Sequence, residues 1–296
     1  MRLGLSLHVR NLFWVNYLMR KYLHINVKDR SVREEEFSGE QIAKAGRYFI
    51  AKTLLEMDVA KNDPLGPDNP LIFSAGPFAG SKFSNANRTS VGCKSPLTGG
   101  VKESNAGGSF GLAMGQLEIA GFTLNNASED WMVLYIKADG TMEWSSAQPY
   151  MGTGNFECAA LLHETYGAKV SLAICSLVGE YGGLLSGIAM SDTDQRPTRL
   201  AARGGVGAVM GAKKIKAIVL DLAKMPGFSD RKQLLKGIKE YGKMIRADDA
   251  TMALRDYGTA MMGDYTNHVG GLPTNNFSGG SQTNGTSNTF KMGGEH

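Results

Sequence analysis

Alternating apolar and polar positions in much of the chain predict strands joined by short polar turns. Continuous apolar runs predict three buried strands, at residues 71–75, 169–175 and 215–222. Two pairs of β-rich runs flank polar triplets and predict hairpins: residues 22–27 and 32–37 around Lys28-Asp29-Arg30, and residues 131–137 and 141–144 around Ala138-Asp139-Gly140.

Helical periodicity is weaker and occurs in two places before residue 225. Ser38 to Gln41 fits a capping box, and the apolar positions that follow predict a helix up to Met57, although Gly46 weakens it. Residues 156–166 predict a short helix that ends at Gly167.

The pattern changes at residues 225–227, where Met-Pro-Gly marks a predicted domain boundary. A helix capped by Ser229 or Asp230 follows, because apolar residues recur there at helical spacing. Its apolar stripe consists of Leu234, Leu235, Ile238, Tyr241 and Ile245. Residues 278–289 are polar and of low complexity, which predicts a loop or a loose end.

Composition is typical of a globular protein with an ample core. The 296 residues are 42% hydrophobic and 20% charged, and 32 basic residues nearly match 28 acidic ones. A net charge of +4 without a long basic run predicts no nucleic-acid partner. Cys93, Cys158 and Cys175 form no Cys-x-x-Cys pair, so neither a disulfide framework nor a four-thiolate metal site is encoded, and a reducing compartment is expected.

The start of the chain carries basic residues between Leu, Phe and Trp. Its apolar runs are too short to span a membrane, and no small-residue cleavage site follows. Residues 1–19 are therefore predicted to be an N-terminal extension, with an amphipathic surface helix as the alternative.

Glycine and basic residues concentrate at residues 202–214, which contain four glycines, three basic residues and no carboxylate. Glycine tolerates positive φ and lets a ligand approach the main chain, so N–H groups are able to face phosphate oxygens while Arg203 and the lysines supply charge. Residues 105–111 form a second element of this kind. Both elements predict a surface that binds a polyanion; the alternative is that their glycines only serve tight turns.

Other kinds of site find less support in the sequence. The spacing at residues 205–211 is Gly-x-Gly-x-x-x-Gly and no strand is predicted before it, which argues against a dinucleotide-binding fingerprint. His163 is expected at the surface, with a general base as the alternative. Asp192 and Asp194 are expected in a solvated turn, with a cation site as the alternative. Cys93 is expected to be a small buried hydrophobe.

Several motifs, taken in order, resemble the N-terminal half of tungsten-containing aldehyde:ferredoxin oxidoreductases. The similarity runs from about Arg20 to Gly280, and the ordered set is specific although any single glycine motif is weak. It is carried by Gly76-Pro77-Phe78-Ala79-Gly80, Arg88, Lys94-Ser95-Pro96-Leu97-Thr98-Gly99, Asn105-Ala106-Gly107-Gly108-Ser109-Phe110-Gly111, Ala120-Gly121, Arg203 to Gly211 with Lys213, and Gly271-Leu272-Pro273-Thr274-Asn275-Asn276-Phe277.

The resemblance implies an α+β fold. A β-rich pterin-binding base domain at residues 20–225, two sheets with flanking helices, is followed at residues 226–296 by the start of a helical domain with a polar tail. It also implies a cytoplasmic, oxygen-sensitive enzyme that oxidises a small aldehyde with water to a carboxylic acid. The implied cofactors are tungsten held by two pyranopterins, a Mg²⁺ that bridges the pterin phosphates, and a [4Fe–4S] cluster that passes electrons to ferredoxin.

The resemblance also implies a cofactor site. The positions that match it are Arg88, Asn105, Ala106, Gly107, Gly108, Arg199, Leu200, Ala202 and Arg203. Arg88 matches the arginine that binds the pterin phosphate, and Arg199 and Arg203 match further basic residues beside the phosphates. Asn105 and Leu200 match the positions whose main-chain carbonyls bind the bridging Mg²⁺. Lys94 and Lys213 stay open as additional phosphate contacts, and no catalytic residue is assigned.

The sequence departs from the family pattern in ways that limit the expected activity. The family's Cys-x-x-Cys-x-x-x-Cys run and its distant fourth cysteine, which hold the cluster, are absent from these 296 residues. Residues 175–180 read Cys-Ser-Leu-Val-Gly-Glu where the family has a glycine-rich sequence. We therefore expect a fragment or split-gene product that works with a C-terminal half or a second copy and is inactive alone. The alternative is a noncatalytic remnant that binds pterin phosphate or a partner chain.

Overall fold

The computed structural model describes residues 19–228, 230–282 and 293–294. The chain divides into two compact units, the first ending at Arg231 and the second beginning at Lys232. The first unit holds two six-stranded mixed sheets, and the described part of the second is helical. The α+β class expected from the sequence, two sheets with flanking helices followed by further helices, is confirmed.

Sheet A is formed by the first six strands of the described chain. They are β1 (Met19–Asn26), β2 (Val32–Ser38), β3 (Leu71–Ala75), β4 (Thr89–Lys94), β5 (Val101–Ala106) and β6 (Ile119–Asn125). Their order across the sheet is β2-β1-β6-β3-β4-β5. In this order β2 and β5 are the two edge strands. Strands β1 and β6 run parallel, and all other neighbouring strands run antiparallel.

Sheet B is formed by the next six strands. They are β7 (Met132–Ile136), β8 (Met142–Ser146), β9 (Val170–Cys175), β10 (Ile188–Met190), β11 (Arg199–Ala201) and β12 (Ile215–Asp221). Their order is β11-β10-β9-β12-β7-β8, with β12 and β7 parallel and the other neighbours antiparallel. The short strand β11 is therefore an edge strand, like β5 of sheet A.

In the part of the chain that the structure describes, six α-helices accompany the sheets and three follow them. The first set is α1 (Glu40–Ala43), α2 (Arg47–Glu56), α3 (Phe110–Gln116), α4 (Asn155–Tyr166), α5 (Leu177–Glu180) and α6 (Val206–Ala212). The later set is α7 (Arg231–Ala247), α8 (Asp249–Tyr257) and α9 (Met261–His268). None of the described helices has the length and apolar character that crossing a membrane would need.

The largest apolar core joins the inner faces of the two sheets with helices α3 and α6. Phe73 and Phe122 of sheet A and Leu134 and Ile218 of sheet B belong to this one cluster and are fully buried. Because alternate residues of a strand face opposite sides of a sheet, the neighbouring residues build separate outer cores. Helix α4 packs on the outer face of sheet B, and α1 and α2 pack on the outer face of sheet A.

Most of the elements predicted from local pattern are confirmed. Both hairpins form, as β1–β2 and β7–β8, and the three predicted buried strands are β3, β9 and β12. Helix α4 ends before Gly167, which has φ of 86°, and α7 is the predicted amphipathic helix. The division after Arg231 lies shortly beyond the predicted limit at residue 225. The N-terminal extension, apart from Met19, and most of the polar tail lie outside the described residues, as does the candidate cap Ser229.

The prediction of one helix from Ser38 to Met57 is wrong, because the chain forms two helices there. Gly46 separates α1 from α2 with φ of 88°, a value that glycine adopts readily. Its N–H donates to Ser74 Oγ of β3 at 2.8 Å, which fixes the break over sheet A. A tertiary hydrogen bond therefore holds the chain at the start of the second helix, and a pattern of neighbouring residues does not contain that information.

Candidate functional site

Two bends that are distant in the sequence lie side by side in the structure. The first bend, residues 105–108, ends β5, and the second bend, residues 202–205, follows β11. The Arg203 N–H donates to Ser104 Oγ at 3.0 Å, and Ser95 Oγ donates to the Gly204 carbonyl at 2.8 Å. The edge strands of the two sheets therefore meet, and the residues predicted to form one anion site are brought together.

The pairing of β4 with β5 places Arg88 next to the first bend. It immediately precedes β4, in which Ser90 stands opposite Asn105 of β5. Arg88 Nε donates to Asn105 Oδ1, and Asn105 Nδ2 donates to Ser90 Oγ at 3.1 Å. Glu103, a possible partner of Arg88 in the sequence, instead accepts from Ser90 and pairs with Arg47 at 3.3 Å. Arg88 is therefore directed to the bend and not to an acidic neighbour.

The bends carry positive charge that no carboxylate neutralises. Arg88, Arg199 and Arg203 are exposed, and no carboxylate of the described chain lies within 4.0 Å of their guanidinium groups. Other arginines of the first unit, such as Arg47 and Arg196, form ion pairs. Unpaired guanidinium groups are planar, multiple donors suited to phosphate and carboxylate oxygens. The arrangement is that of an anion-binding site.

The two glycines of the first bend have different surroundings. Gly108 has φ of 100°, and a Cβ there would lie 2.2 Å from the Ser191 carbonyl oxygen, so only glycine fits. A Cβ at Gly107 would meet only Arg88 Nη1, at 3.6 Å. Gly107 therefore leaves main chain open beside a guanidinium group, and Gly108 allows the bend to touch the loop before β11.

The remaining predicted site residues lie close to these bends. Ala106 is the buried last residue of β5, whereas Leu200 of β11 and Ala202 after it are exposed. A cleft of about 440 Å³ adjoins the first bend. Its lining includes Arg47, Gly76, Phe78, Arg88, Glu103 and Asn105. The GPFAG motif thus contributes one wall beside Arg88.

The prediction that residues 202–214 form one exposed, backbone-lined surface is wrong beyond Arg203. Residues 206–211 form most of helix α6 and are buried. A Cβ at Gly207 would lie 2.4 Å from the Gly187 carbonyl, and one at Gly211 would lie 2.0 Å from the Gly179 carbonyl. These glycines allow close helix packing and do not present N–H groups to a ligand.

The lysines suggested as phosphate contacts instead donate to main-chain carbonyls away from the bends. Lys213 is only 1% exposed, and its Nζ donates to the Asn126 carbonyl at 2.9 Å. Lys94 Nζ donates to the carbonyls of Ala60 and Asn62 at 2.7 and 2.6 Å, and Lys214 Nζ donates to that of Glu129. Each lysine therefore holds main-chain carbonyls of its own neighbourhood, and the positive charge at the bends comes from arginine.

Buried Lys213 makes stability depend on pH. Burial lowers the pKa of Lys213 from 10.5 to about 8, so between these values the unfolded chain binds more protons than the folded one. Stability therefore rises with pH in that window. We expect wild type to gain about 2 kcal/mol of unfolding free energy over Lys213→Met between about pH 7.5 and about pH 10, measured by urea denaturation. Parallel pH profiles of the two proteins would contradict this expectation.

The cysteines and histidines of the described chain form no metal centre. Cys93, Cys158 and Cys175 are free and buried, and burial raises the pKa of the Cys93 and Cys175 thiols to about 12. No group of three or more His, Cys, Asp or Glu side chains in the described ranges is arranged to hold a metal ion. Cys93 lies in β4, and His163 is partly exposed on α4, as the sequence predicted.

The sequence did not predict the hydrogen bonds by which Ser109, Ser191 and Asp192 hold the first bend and the loop before β11 together. Ser109 and Ser191 are buried, and the Ser109 N–H donates to the Ser191 carbonyl at 2.9 Å. Asp192, expected in a solvated turn or a cation site, is buried and accepts four hydrogen bonds from its own loop. Desolvation raises the pKa of Asp192, but these bonds outweigh it and lower the pKa to about 2. No sequence motif indicates these hydrogen bonds.

Comparison with known proteins agrees with the geometry of the first unit. The model of the aldehyde ferredoxin oxidoreductase N-terminal domain matches residues 22–222. Tungsten-containing aldehyde ferredoxin oxidoreductases of Pyrococcus horikoshii and Thermococcus kodakarensis are both 35% identical to the chain, over 88% and 93% of its length. The chain spans only 42% and 44% of those relatives.

More distant similarities point the same way. The WOR-like subunit of an aliphatic sulfonate oxidoreductase of Pyrococcus furiosus is 26% identical over 84% of the chain and 41% of that protein. The active-site complex BamBC of benzoyl coenzyme A reductase superimposes with a TM-score of 0.70 and 25% identity, over 77% of this chain and 34% of that one. The chain therefore belongs to the aldehyde ferredoxin oxidoreductase family, through its N-terminal domain.

Proposed function

We propose that the first unit binds the phosphates of a tungsten bis-pyranopterin and is the N-terminal part of an aldehyde:ferredoxin oxidoreductase. The observation that carries this proposal is the set of three guanidinium groups that have no carboxylate partner among the described residues, at two bends that hydrogen bonds hold together. Relatives whose similarity extends over at least 84% of the chain include tungsten-containing aldehyde ferredoxin oxidoreductases.

The donors at the bends suit a pterin phosphate. A phosphate needs several donors, and Arg88, Arg199 and Arg203 each offer a planar fork of N–H groups. Gly107 leaves its main chain open next to Arg88. By the family resemblance, the main-chain carbonyls of Asn105 in β5 and Leu200 in β11 would hold a Mg²⁺, for which oxygen ligands are suited and which would neutralise phosphate charge.

The roles of this chain's residues are to bind and orient the cofactor. When bound, the tungstopterin supplies the redox chemistry by which a small aldehyde and water give a carboxylic acid. Arg88, Arg199 and Arg203 neutralise the phosphates, and Asn105 holds Arg88 in place through its side-chain oxygen. In this proposal these residues bind phosphate, and none of them is assigned a proton-transfer role.

Other parts of the proposed enzyme extend beyond these residues. The relatives are more than twice as long as the matched segment, so we propose that a C-terminal half or a second copy completes the cofactor site and provides the ligands of a [4Fe–4S] cluster. Ferredoxin is the proposed electron acceptor. Three free, buried cysteines suit the proposed reducing, cytoplasmic location.

Arg88→Ala is expected to weaken phosphate binding by the first unit. Loss of a hydrogen bond to a charged group costs about 1.5 to 3 kcal/mol, so the Kd for inorganic pyrophosphate should rise about tenfold or more. Isothermal titration calorimetry on the full chain measures this. Arg33→Ala is the matched control, because β2 lies at the opposite edge of sheet A from β5. Equal affinities of wild type and Arg88→Ala would contradict the role of Arg88.

Cofactor loading tests the enzyme directly. The chain is coexpressed anaerobically, with tungstate, with the C-terminal half of a full-length relative. Tungsten is measured by elemental analysis and pterin by fluorescence of the released cofactor. We expect both in wild type and less of both in Arg88→Ala, together with aldehyde oxidation by the wild-type complex. Absence of both from wild type would contradict the cofactor, and pterin without oxidation would favour a noncatalytic pterin-binding protein.

A further inference from the structure

The loop of residues 191–198 connects β10 to β11 and so decides where Arg199 stands. Its sequence is polar, yet its first two residues, Ser191 and Asp192, are buried. The remaining residues return the chain to β11, where Arg199 pairs with Met190. The conformation of this loop therefore sets the position of the second arginine-bearing strand.

Asp192 folds the loop around its carboxylate. Oδ1 accepts from the N–H groups of Asp194 and Arg196 at 2.8 and 3.0 Å. Oδ2 accepts from Arg196 Nε at 3.0 Å and from the Thr198 hydroxyl at 2.8 Å. All four partners are donors, so the position suits an ionised carboxylate, which only accepts. An asparagine would place its own N–H group against one pair of these donors.

Ser191 connects the same loop to the first bend. Its carbonyl accepts from the Ser109 N–H at 2.9 Å and from Ser109 Oγ at 3.3 Å. Its hydroxyl accepts from the Leu172 N–H of β9 at 3.0 Å. A Cβ at Gly108 would lie 2.2 Å from the Ser191 carbonyl oxygen and 3.1 Å from Arg199 Cγ. Gly108 thus contacts both Ser191 and Arg199.

We propose that Asp192 is a positioning residue of the anion site, because its carboxylate folds the loop that places Arg199 against the Gly107-Gly108 bend. The inference rests on the proposed function, which makes Arg199 a phosphate ligand. Asp192 itself is buried behind the loop and makes its hydrogen bonds to loop residues, so it acts through Arg199 and Ser191 and not by contact with the anion.

The test compares Asp192→Asn with Asp194→Asn in the full chain. Both remove one negative charge from the same loop, but the Asp194 side chain is 68% exposed and the Asp192 side chain is 3% exposed. With inorganic pyrophosphate as the probe, we expect the Kd to rise about fivefold or more in Asp192→Asn and less than about twofold in Asp194→Asn. Wild-type affinity in a folded Asp192→Asn protein would overturn the proposal.

A double-mutant cycle separates positioning from general structural damage. If Asp192 acts through Arg199, Asp192→Asn should not weaken pyrophosphate binding further when Arg199 is already alanine. A full additional loss in that background would overturn the proposal. Thr198→Val removes one donor to Asp192 and is the milder variant should Asp192→Asn fail to fold. It is expected to weaken pyrophosphate binding only when Arg199 is present. Unchanged affinity of Thr198→Val would count against the proposal.

Amide hydrogen exchange tests the positioning role by a measurement that does not depend on ligand binding. The Ser109 N–H, which donates to Ser191, should exchange faster in Asp192→Asn than in wild type or Asp194→Asn. Unchanged protection would overturn the positioning role. If Ser109 loses protection but wild type itself binds no pyrophosphate, the loop mechanism stands and the phosphate assignment of the proposed function fails, so the two failures are distinguishable.

Discussion

Replacing Glu180 with glutamine is expected to lower the free energy of unfolding of the first unit by about 3 to 5 kcal/mol. Lys216 of β12 has a side chain that is 0% exposed, and its Nζ donates to Glu180 Oε1 and, at 3.0 Å, to the Cys175 carbonyl. Glu180 Oε2 also accepts from the Gly152 N–H at 3.0 Å. Removing the carboxylate charge leaves a buried ammonium without compensation, which costs more than the pair itself contributes.

Urea denaturation followed by tryptophan fluorescence measures this loss. Trp131 and Trp144, the two tryptophans of the described residues, both belong to the first unit, so their fluorescence reports the unfolding of that unit. Glu56→Gln is the control, because the Lys52–Glu56 pair is exposed and should contribute less than about 1 kcal/mol. The double variant Glu180→Leu with Lys216→Met should recover much of the loss. A loss below about 1 kcal/mol in Glu180→Gln would contradict the expectation.

Gly211→Ala is expected to destabilise the first unit by about 3 kcal/mol, although alanine favours a helix. By propensity alone, the substitution in α6 would stabilise the protein by about 1 kcal/mol. A Cβ at Gly211, however, would lie 2.0 Å from the carbonyl oxygen of Gly179, which is main chain and cannot rotate away. Helices α5 and α6 would have to separate, and α6 follows directly on the Gly204-Gly205 bend. The steric effect therefore outweighs the propensity.

The same urea experiment measures the effect of Gly211→Ala. Gly227→Ala is the matched control, since a Cβ at Gly227 would meet nothing within 4 Å and its φ is not in the left-handed region. We expect the control to stay within about 0.5 kcal/mol of wild type. Similar unfolding free energies for Gly211→Ala and Gly227→Ala would show that α5 and α6 are not packed as described.

The parts of the fold that the sequence predicted correctly depend on neighbours in the chain. The hairpin β7–β8 follows from a turn triplet between β-rich runs, and α7 follows from helical spacing of its apolar residues. The parts that it predicted wrongly depend on distant residues. Gly46 lies between two helices and bonds to Ser74, and Gly211 lies in a helix that packs too closely on Gly179 for any side chain. In both cases a glycine was assigned from its neighbours, although a tertiary contact decides its conformation.

The candidate site was also predicted only in the features that depend on neighbouring residues or on the family resemblance. Composition at residues 105–111 and 202–214 indicated anion binding, and the family resemblance singled out Arg88, Arg199 and Arg203, whose roles stay predictions. The sequence left Lys94 and Lys213 open as further phosphate contacts, but Lys213 is buried and Lys94 binds carbonyls. The roles of Ser109 and Ser191 could not be predicted from the sequence, because they come from hydrogen bonds between distant segments.

The amino-acid sequence by itself determined the hairpins and the glycine- and arginine-rich composition of the two bends, since each depends on residues close together in the chain. It also determined the family, through the order of motifs along the chain. Only the tertiary structure decided that the bends meet. Arg203 and Ser104 are 99 residues apart and bond because β5 and β11 are the edge strands of two sheets that share one core. Burial by that core also decided which cations remain at the surface, because a charge inside it needs a partner and a charge at the open edge is free to bind an anion.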